Sequence, residues 1–147
     1  MMQYCTFTLG ELHFGIETHQ VQEVLRSTEL TRVPLAPPSI RGLMNLRGQI
    51  VTVIDLAERL GLARLGAAPS SVHVVVMADG AAVSLLVDAV GDVVEVTQAG
   101  FEYPPDTLED WLRELIVGVH KLEDRLLLVL DVARAVDLAG TATGRAR

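Results

Sequence analysis

The chain has 147 residues, half of them hydrophobic but only 4% aromatic, and carries a formal charge of -7. That length allows one domain or two very small ones, and a core drawn from Val, Leu, Ile and Ala favours pleated sheets packed on both faces. An acidic chain argues against non-specific nucleic-acid binding, no polybasic run offers a hold on anionic lipid, and no apolar run reaches the ~18 residues of a membrane span. The start, MMQYCTFTLGEL, lacks a basic stretch followed by an apolar block, so a soluble, cytoplasmic protein without direct membrane insertion is expected. A single cysteine, Cys5, excludes an intramolecular disulfide. Its alternation with Phe7 and Leu9 predicts a buried, reduced thiol.

YCTFTL sets Cys5, Phe7 and Leu9 against Thr6 and Thr8, a period of two that predicts a strand. Gly10-Glu11 turns the chain into LHFGI, with Leu12, Phe14 and Ile16 on one face, and the two runs form a predicted hairpin. VQEVLR (21–26) reads as a short strand or turn. Pro34, Pro37 and Pro38 then fix an extended loop. After IRGLMNLRGQIVTVI, Asp55 opens a short predicted helix, DLAERLGL, which its carboxylate caps and Gly61 closes. Residues 63–71 read as a surface loop. VHVVVM turns through Asp79-Gly80 into AAVSLLVD, a second hairpin, and VVEV (93–96) is a strand. TLEDWLRELI (107–116) is predicted helical, with Thr107 as cap and Leu108, Trp111, Leu112 and Leu115 on one face. GVHKLEDRLLLVLDVARAV closes the fold, and the small, polar tail 140–147 is expected to be disordered.

Two stretches repeat. Residues 41–60 align without a gap on 117–136, setting Gly42 on Gly118, Val53 on Val129, Asp55 on Asp131 and Ala57 on Ala133. Residues 14–24 align on 83–93, so Val21 and Val24 match Val90 and Val93. Two similar β-units follow, each the size of a small closed barrel that leaves few sheet edges exposed. Shared positions serve the fold: the glycines mark a backbone bend and the aspartates are helix caps. The positions that differ are more telling. Asn45 meets Lys121, Arg47 meets Glu123 and Gly48 meets Asp124. Both units turn tightly there, but only the first does so as Asn-Leu-Arg-Gly. Gly48 suits the left-handed position of a bulged hairpin. Arg47 is a solvated turn residue, or a rigidly held guanidinium that faces a carboxylate on a partner or orders the Glu23 side chain.

Catalytic motifs are absent from the sequence: there is no Gly-rich phosphate loop, no nucleophile elbow, and no Cys or His pair at metal spacing. The four histidines, at 13, 19, 73 and 120, are scattered, and ordinary surface or core roles suit them. A chain with this much ordered core and no reactive cluster reads as a binding module.

The same residues carry a resemblance. VQEVLR, followed by TRVPLAPPSIRGLMNLRGQIVTVIDLAERLGL, closely resembles the CheW family of bacterial chemotaxis adaptors. VSLLVDAVGDVVEV and IVGVHKLEDRLLLVLDVARAV fit it too, so the likeness runs from about Tyr4 to Val136. It implies a mainly β fold over residues 1–139: two SH3-like, five-stranded barrels with short helices around a shared hydrophobic core, exchanging near 63–71. It implies no enzymatic activity and no cofactor or metal. The implied partners are the cytoplasmic tip of methyl-accepting chemotaxis receptors and the regulatory domain of the histidine kinase CheA, met at membrane-associated receptor arrays. Val21 and Glu23 in VQEV, Gly42 in IRG, and Asn45, Arg47 and Gly48 in the turn match the family's partner-binding motifs. The family's receptor groove lies between the barrels, where Val21, Val24, Val90 and Val93 are expected. The chain starts almost at its first strand and carries no fused kinase or receiver domain, so a free-standing adaptor is expected. Similar adaptors serve flagellar chemotaxis, twitching motility and other kinase-linked pathways. A metabolite-binding double barrel is the remaining reading, and it requires a concave pocket with convergent polar groups.

Overall fold

A computed structural model of the chain describes residues 1–26, 28–62 and 72–137; the expected exchange segment 63–71 and the tail 140–147 lie outside them. In chain order the strands are β1 (Met2–Leu9), β2 (Leu12–Glu17), β3 (Val21–Arg26), β4 (Ile40–Leu46) and β5 (Gln49–Asp55), followed by the short helix α1 (Leu56–Arg59). Then come β6 (Val72–Ala78), β7 (Ala81–Val87), β8 (Ala89–Val96), β9 (Phe101–Glu102), α2 (Asp110–Arg113), β10 (Ile116–Lys121), β11 (Leu126–Leu130) and α3 (Val132–Val136). Two sheets result, ordered β3-β6-β7-β5-β4 and β8-β1-β2-β11-β10-β9.

The strand orders reveal an exchange. The hairpin β1-β2 from the first repeat sits in the middle of the sheet otherwise built from the second. The hairpin β6-β7 from the second repeat sits in the middle of the other sheet. Each guest hairpin makes one antiparallel and one parallel junction: β3·β6 and β5·β7 in one sheet, β1·β8 and β2·β11 in the other. The sequence halves are therefore not the two barrels, as their size suggested. Each barrel is a composite of both halves.

Burial follows from this arrangement. Met44 on the β4 edge and Leu25 on the β3 edge pack into one cluster with Val51, Val53, Val75 and Leu86, which requires the five-stranded sheet to curl on itself. Tyr4, Leu127 and Val129, with Met2, Val94 and Val96, form the matching cluster of the other sheet. The alternate residues of the same strands, Phe7, Leu9, Phe14, Ile16, Val74, Val76, Leu85, Val87, Leu128 and Leu130, meet in one large core between the sheets. The middle strands are thus buried on both faces. This accounts for runs such as HVVVM and LLLVL, which carry no polar alternation. At about 1.5–3 kcal/mol for each fully buried large aliphatic or Phe side chain, this core outweighs any surface ion pair.

The repeat is also structural. The β4·β5 and β10·β11 ladders each carry a register shift just before Gly42 and Gly118. At both glycines a crossing segment lies close above the strand. A Cβ on Gly42 would stand 2.7 Å from the Thr31 carbonyl oxygen, and one on Gly118 would stand 2.2 Å from Phe101 and 2.7 Å from the Glu102 carbonyl oxygen. Thr31 bridges Leu43, and Glu102 pairs with Val119, the aligned position. The second crossing is long enough to count as β9, and for this reason one sheet has six strands instead of the five expected. Asp55 and Asp131 cap α1 and α3, accepting from Glu58 N at 3.3 Å and Arg134 N at 3.2 Å. Across the junction Arg59 on α1 donates to the Ala135 and Arg134 carbonyls at 3.1 and 2.8 Å, satisfying the end of α3.

Two local expectations are corrected. The helix predicted over 107–116 is only Asp110–Arg113, with Glu109 in the cap position and no side-chain cap bond. Ile116 is drawn into β10 opposite Leu130, while Leu112 and Leu115 still bury. Cys5 is half-buried instead of buried, and what burial it has raises its thiol pKa.

Because each sheet needs both halves, separately expressed fragments 1–66 and 67–139 should lack cooperative melting, and mixing them should restore strand circular dichroism. A cooperatively folded single fragment would refute the composite core. A second test concerns pH. Burial lowers the pKa of His73 and of His120. The folded state therefore resists protons that the unfolded chain accepts below about pH 6.5. Stability should be fully present above that value and decline as pH falls towards 5, and His73→Gln should flatten that part of the melting-temperature curve.

Candidate functional site

Strands β4 and β5 close through Arg47-Gly48, with Leu46 paired to Gln49. Both turn residues have left-handed backbone, φ +52° at Arg47 and +85° at Gly48, which fits the twist of a two-residue hairpin. Glycine takes such a conformation freely, whereas arginine is strained in it. The Asp79-Gly80 turn uses the same angles with a residue that tolerates them better. Asn45 steadies the loop, its Oδ1 accepting from Gly48 N at 2.8 Å. The second repeat closes the aligned hairpin on Glu123-Asp124 with no residue at positive φ. The turn alone does not call for arginine.

The Arg47 guanidinium reaches β3 and grips Glu23 with both its Nη atoms, Nη1 to Oε1 and Nη2 to Oε2, the latter at 3.0 Å. The sequence left open a solvated Arg47, one facing a partner, or one ordering Glu23. In the structure it is already paired, in a planar fork that orients both side chains. The pair is asymmetric between the barrels: the aligned positions hold Asp92 and Glu123, two acids. Arg47 and Gly48 are exposed, and Glu23 is partly so. Gly42 differs. It is buried under Thr31, so its role is packing, beyond the reach of a partner.

A cleft of about 300 Å³ opens where the edge strands β3 and β8 approach, lined by Val24, Arg26, Val72, Asp88, Ala89 and Val90. Val24 is 44% exposed, and Val93 on β8, opposite Cys5, is 54% exposed. Of the four valines expected in the groove, Val24 and Val90 face this cleft, Val93 stands outside its lining, and Val21 packs against the shared core. Sequence reasoning missed Arg26, Asp88 and Ala89. The alternation in VQEVLR, which exposes Val24 and Arg26 together, was the available signal for the first of these.

Among the described residues, one Ser–His contact lies at hydrogen-bond distance, and it is buried. Ser84 Oγ lies 2.8 Å from His73 Nδ1, but both residues are buried within the five-stranded sheet, out of reach of a substrate. No group of three or more His, Cys, Asp or Glu among the described residues is placed to hold a metal ion. No helix among them is long and apolar enough to cross a membrane.

An internally repeated, double-sheet β protein whose exposed features are a salt-bridged turn and a cleft between two edge strands has the form of a binding module. The comparisons identify which one: the chain matches the CheW-like domain over residues 3–139 and belongs to that family. It is 32% identical over 128 residues to the chemotaxis protein CheW of Rhizobium meliloti, covering 86% of this chain and 81% of that one. It is 30% identical over 132 residues to the CheW of Klebsiella aerogenes, covering 90% and 80%. The crystal structure of the scaffolding protein TtCheW from Thermoanaerobacter tengcongensis superposes with a TM-score of 0.85 at 29% identity, covering 95% of this chain and 94% of that one.

Arg47→Gly tests whether the arginine serves the fold. It relieves the left-handed strain and removes an exposed pair that adds little to stability. The variant should melt at or slightly above the wild-type temperature by calorimetry. A fall of more than a few degrees would make the Glu23 pair a structural tie.

Proposed function

We propose that this protein couples the cytoplasmic tip of methyl-accepting chemotaxis receptors to the regulatory domain of a CheA-type histidine kinase. It acts in the cytoplasm at membrane-associated arrays and catalyses nothing itself. The reading rests on the family, on relatives named chemotaxis proteins, and above all on one observation: the strained, bidentate Arg47–Glu23 pair that the second repeat lacks. A strained exposed residue that the fold can do without in its own duplicate is a feature kept for contact. Asn45, Arg47, Gly48 and Glu23 form one face of this contact. Val24 and Val90, with Val93 beside them on the β8 edge, offer apolar area for a helical receptor tip.

Charge reversal and charge exchange separate the two roles of the pair. Arg47→Glu should melt within a few degrees of wild type, since the site is exposed, yet weaken kinase binding about thirtyfold or more. The swap Glu23→Arg with Arg47→Glu restores the internal attraction and should also melt near wild type, without restoring binding, because the partner then meets the wrong sign at each position. The control is Arg32→Glu, an exposed cation in the β3–β4 loop; Arg59 is unsuitable because it holds the end of α3. Isothermal titration with the purified kinase reads both. Full binding by Arg47→Glu, or full rescue by the swap, would sink the docking role.

A further inference from the structure

The second barrel carries a cavity of about 440 Å³ that the function above leaves unused, lined by Tyr4, Glu17, Phe101, Tyr103, Val117 and Asp131 among others. The repeat supplies its control. In the first half, Arg41 at the β4 register shift pairs through Nη2 with Oδ2 of Asp55, the residue that also caps α1. In the second half Asp131 caps α3 in the same way, and its amide donates to the Leu115 carbonyl oxygen as that of Asp55 does to the aligned Ser39. The position aligned with Arg41, however, is Val117, which also lies at a register shift. The valine stops short, and the cavity opens between it and Asp131.

The empty place is suited to a cation. Glu17 and Asp131 both line it, and no Lys or Arg among the described residues does. Among the described residues, Asp131 has the solvated Arg134 beside it, 3.7 Å from Nε to Oδ2, and Glu17 has His19 at 3.6 Å. Three aromatic side chains, Tyr4, Phe101 and Tyr103, also line it, among Gln20, Gln98 and aliphatic residues. Tyr103, 81% exposed, meets Phe101 edge to face with ring centroids 5.7 Å apart, and the buried Tyr4 ring forms another wall. Carboxylates with aromatic faces attract guanidinium and ammonium groups. We infer that this cavity is a docking pocket for an arginine side chain of a protein partner, which supplies in trans the guanidinium that Arg41 supplies to the first barrel in cis. An arginine fits better than a lysine because its planar fork can meet a carboxylate while stacking on a ring. The pocket lies on the six-stranded sheet and does not depend on what the Arg47 face engages.

The test uses the whole chain labelled with ¹⁵N and titrated with N-acetyl-arginine amide. The Tyr4, Val117 and Asp131 amide signals should shift saturably, and the uncharged citrulline analogue should leave them unmoved. Asp131→Asn keeps the helix cap but loses the charge, and should weaken binding by about an order of magnitude. Val117→Arg should fill the pocket from within as Arg41 does, abolishing binding while leaving a well-dispersed, folded spectrum. Absent or citrulline-like shifts, or unchanged binding by folded Val117→Arg, would overturn the proposal. So would tighter binding of putrescine than of the arginine amide, since it would give the pocket to a free diamine.

Discussion

Everything else in the molecule depends on the exchange of hairpins between the repeats. A hairpin placed mid-sheet has both edges paired and both faces covered, so its polar backbone is satisfied while its side chains are free to be apolar throughout. β1-β2 and β6-β7 exploit this, one face filling a barrel and the other the central core. Neither barrel can close without the other half of the chain. The cost is topological: each sheet joins strands far apart in sequence, and each contains one parallel junction that no short turn can make.

Duplication makes the chain its own comparison. Where the halves agree, the reason is geometric. Gly42 and Gly118 admit a crossing segment at a distance no side chain allows, and Asp55 and Asp131 end a strand and begin a helix in one residue. Where they disagree, the fold has shown itself indifferent. Arg47-Gly48 against Glu123-Asp124, on turns of different backbone, and Arg41 against Val117 are pairs of solutions that the same paired strands accept. The differences are therefore free to serve surfaces, and they place a fixed cation on one barrel and an acidic, aromatic-walled hollow on the other.

Much of this was legible in the residues. Period-two alternation gave the first hairpin, and the alignment of 41–60 with 117–136 gave the duplicated β4-β5 and β10-β11 units with their caps. The exchange was not legible, because alternation says which face of a strand is apolar but not which sheet the strand joins. The helix over 107–116 failed for a related reason. Leu108, Leu112 and Leu115 satisfy a helical period, but Ile116 is worth more to the sheet as a partner of Leu130 than to a final helical turn. At the site, the Asn-Leu-Arg-Gly turn and the pairing with Glu23 could be anticipated only as alternatives, since a contact between β3 and the β4-β5 tip exists only once the sheet curls. Gly42 shows the converse error. A residue inside a recognised motif was read as contact when its burial makes it packing.

The same architecture dictates where contacts are possible. With the middle strands covered on both faces, only edge strands, hairpin tips and the crossing segments remain to meet another protein. The apolar exposure on β3 and β8, the cation at the β4-β5 tip and the aromatic pair beside β9 all fall in those places. In a chain with a formal charge of -7, long-range attraction favours basic partner surfaces. A fixed cation at Arg47 runs against that field. It can select a partner only at short range, through the geometry of its fork with Glu23, because the surrounding charge works against any distant acid it attracts. Orientation, more than net attraction, is what that turn contributes.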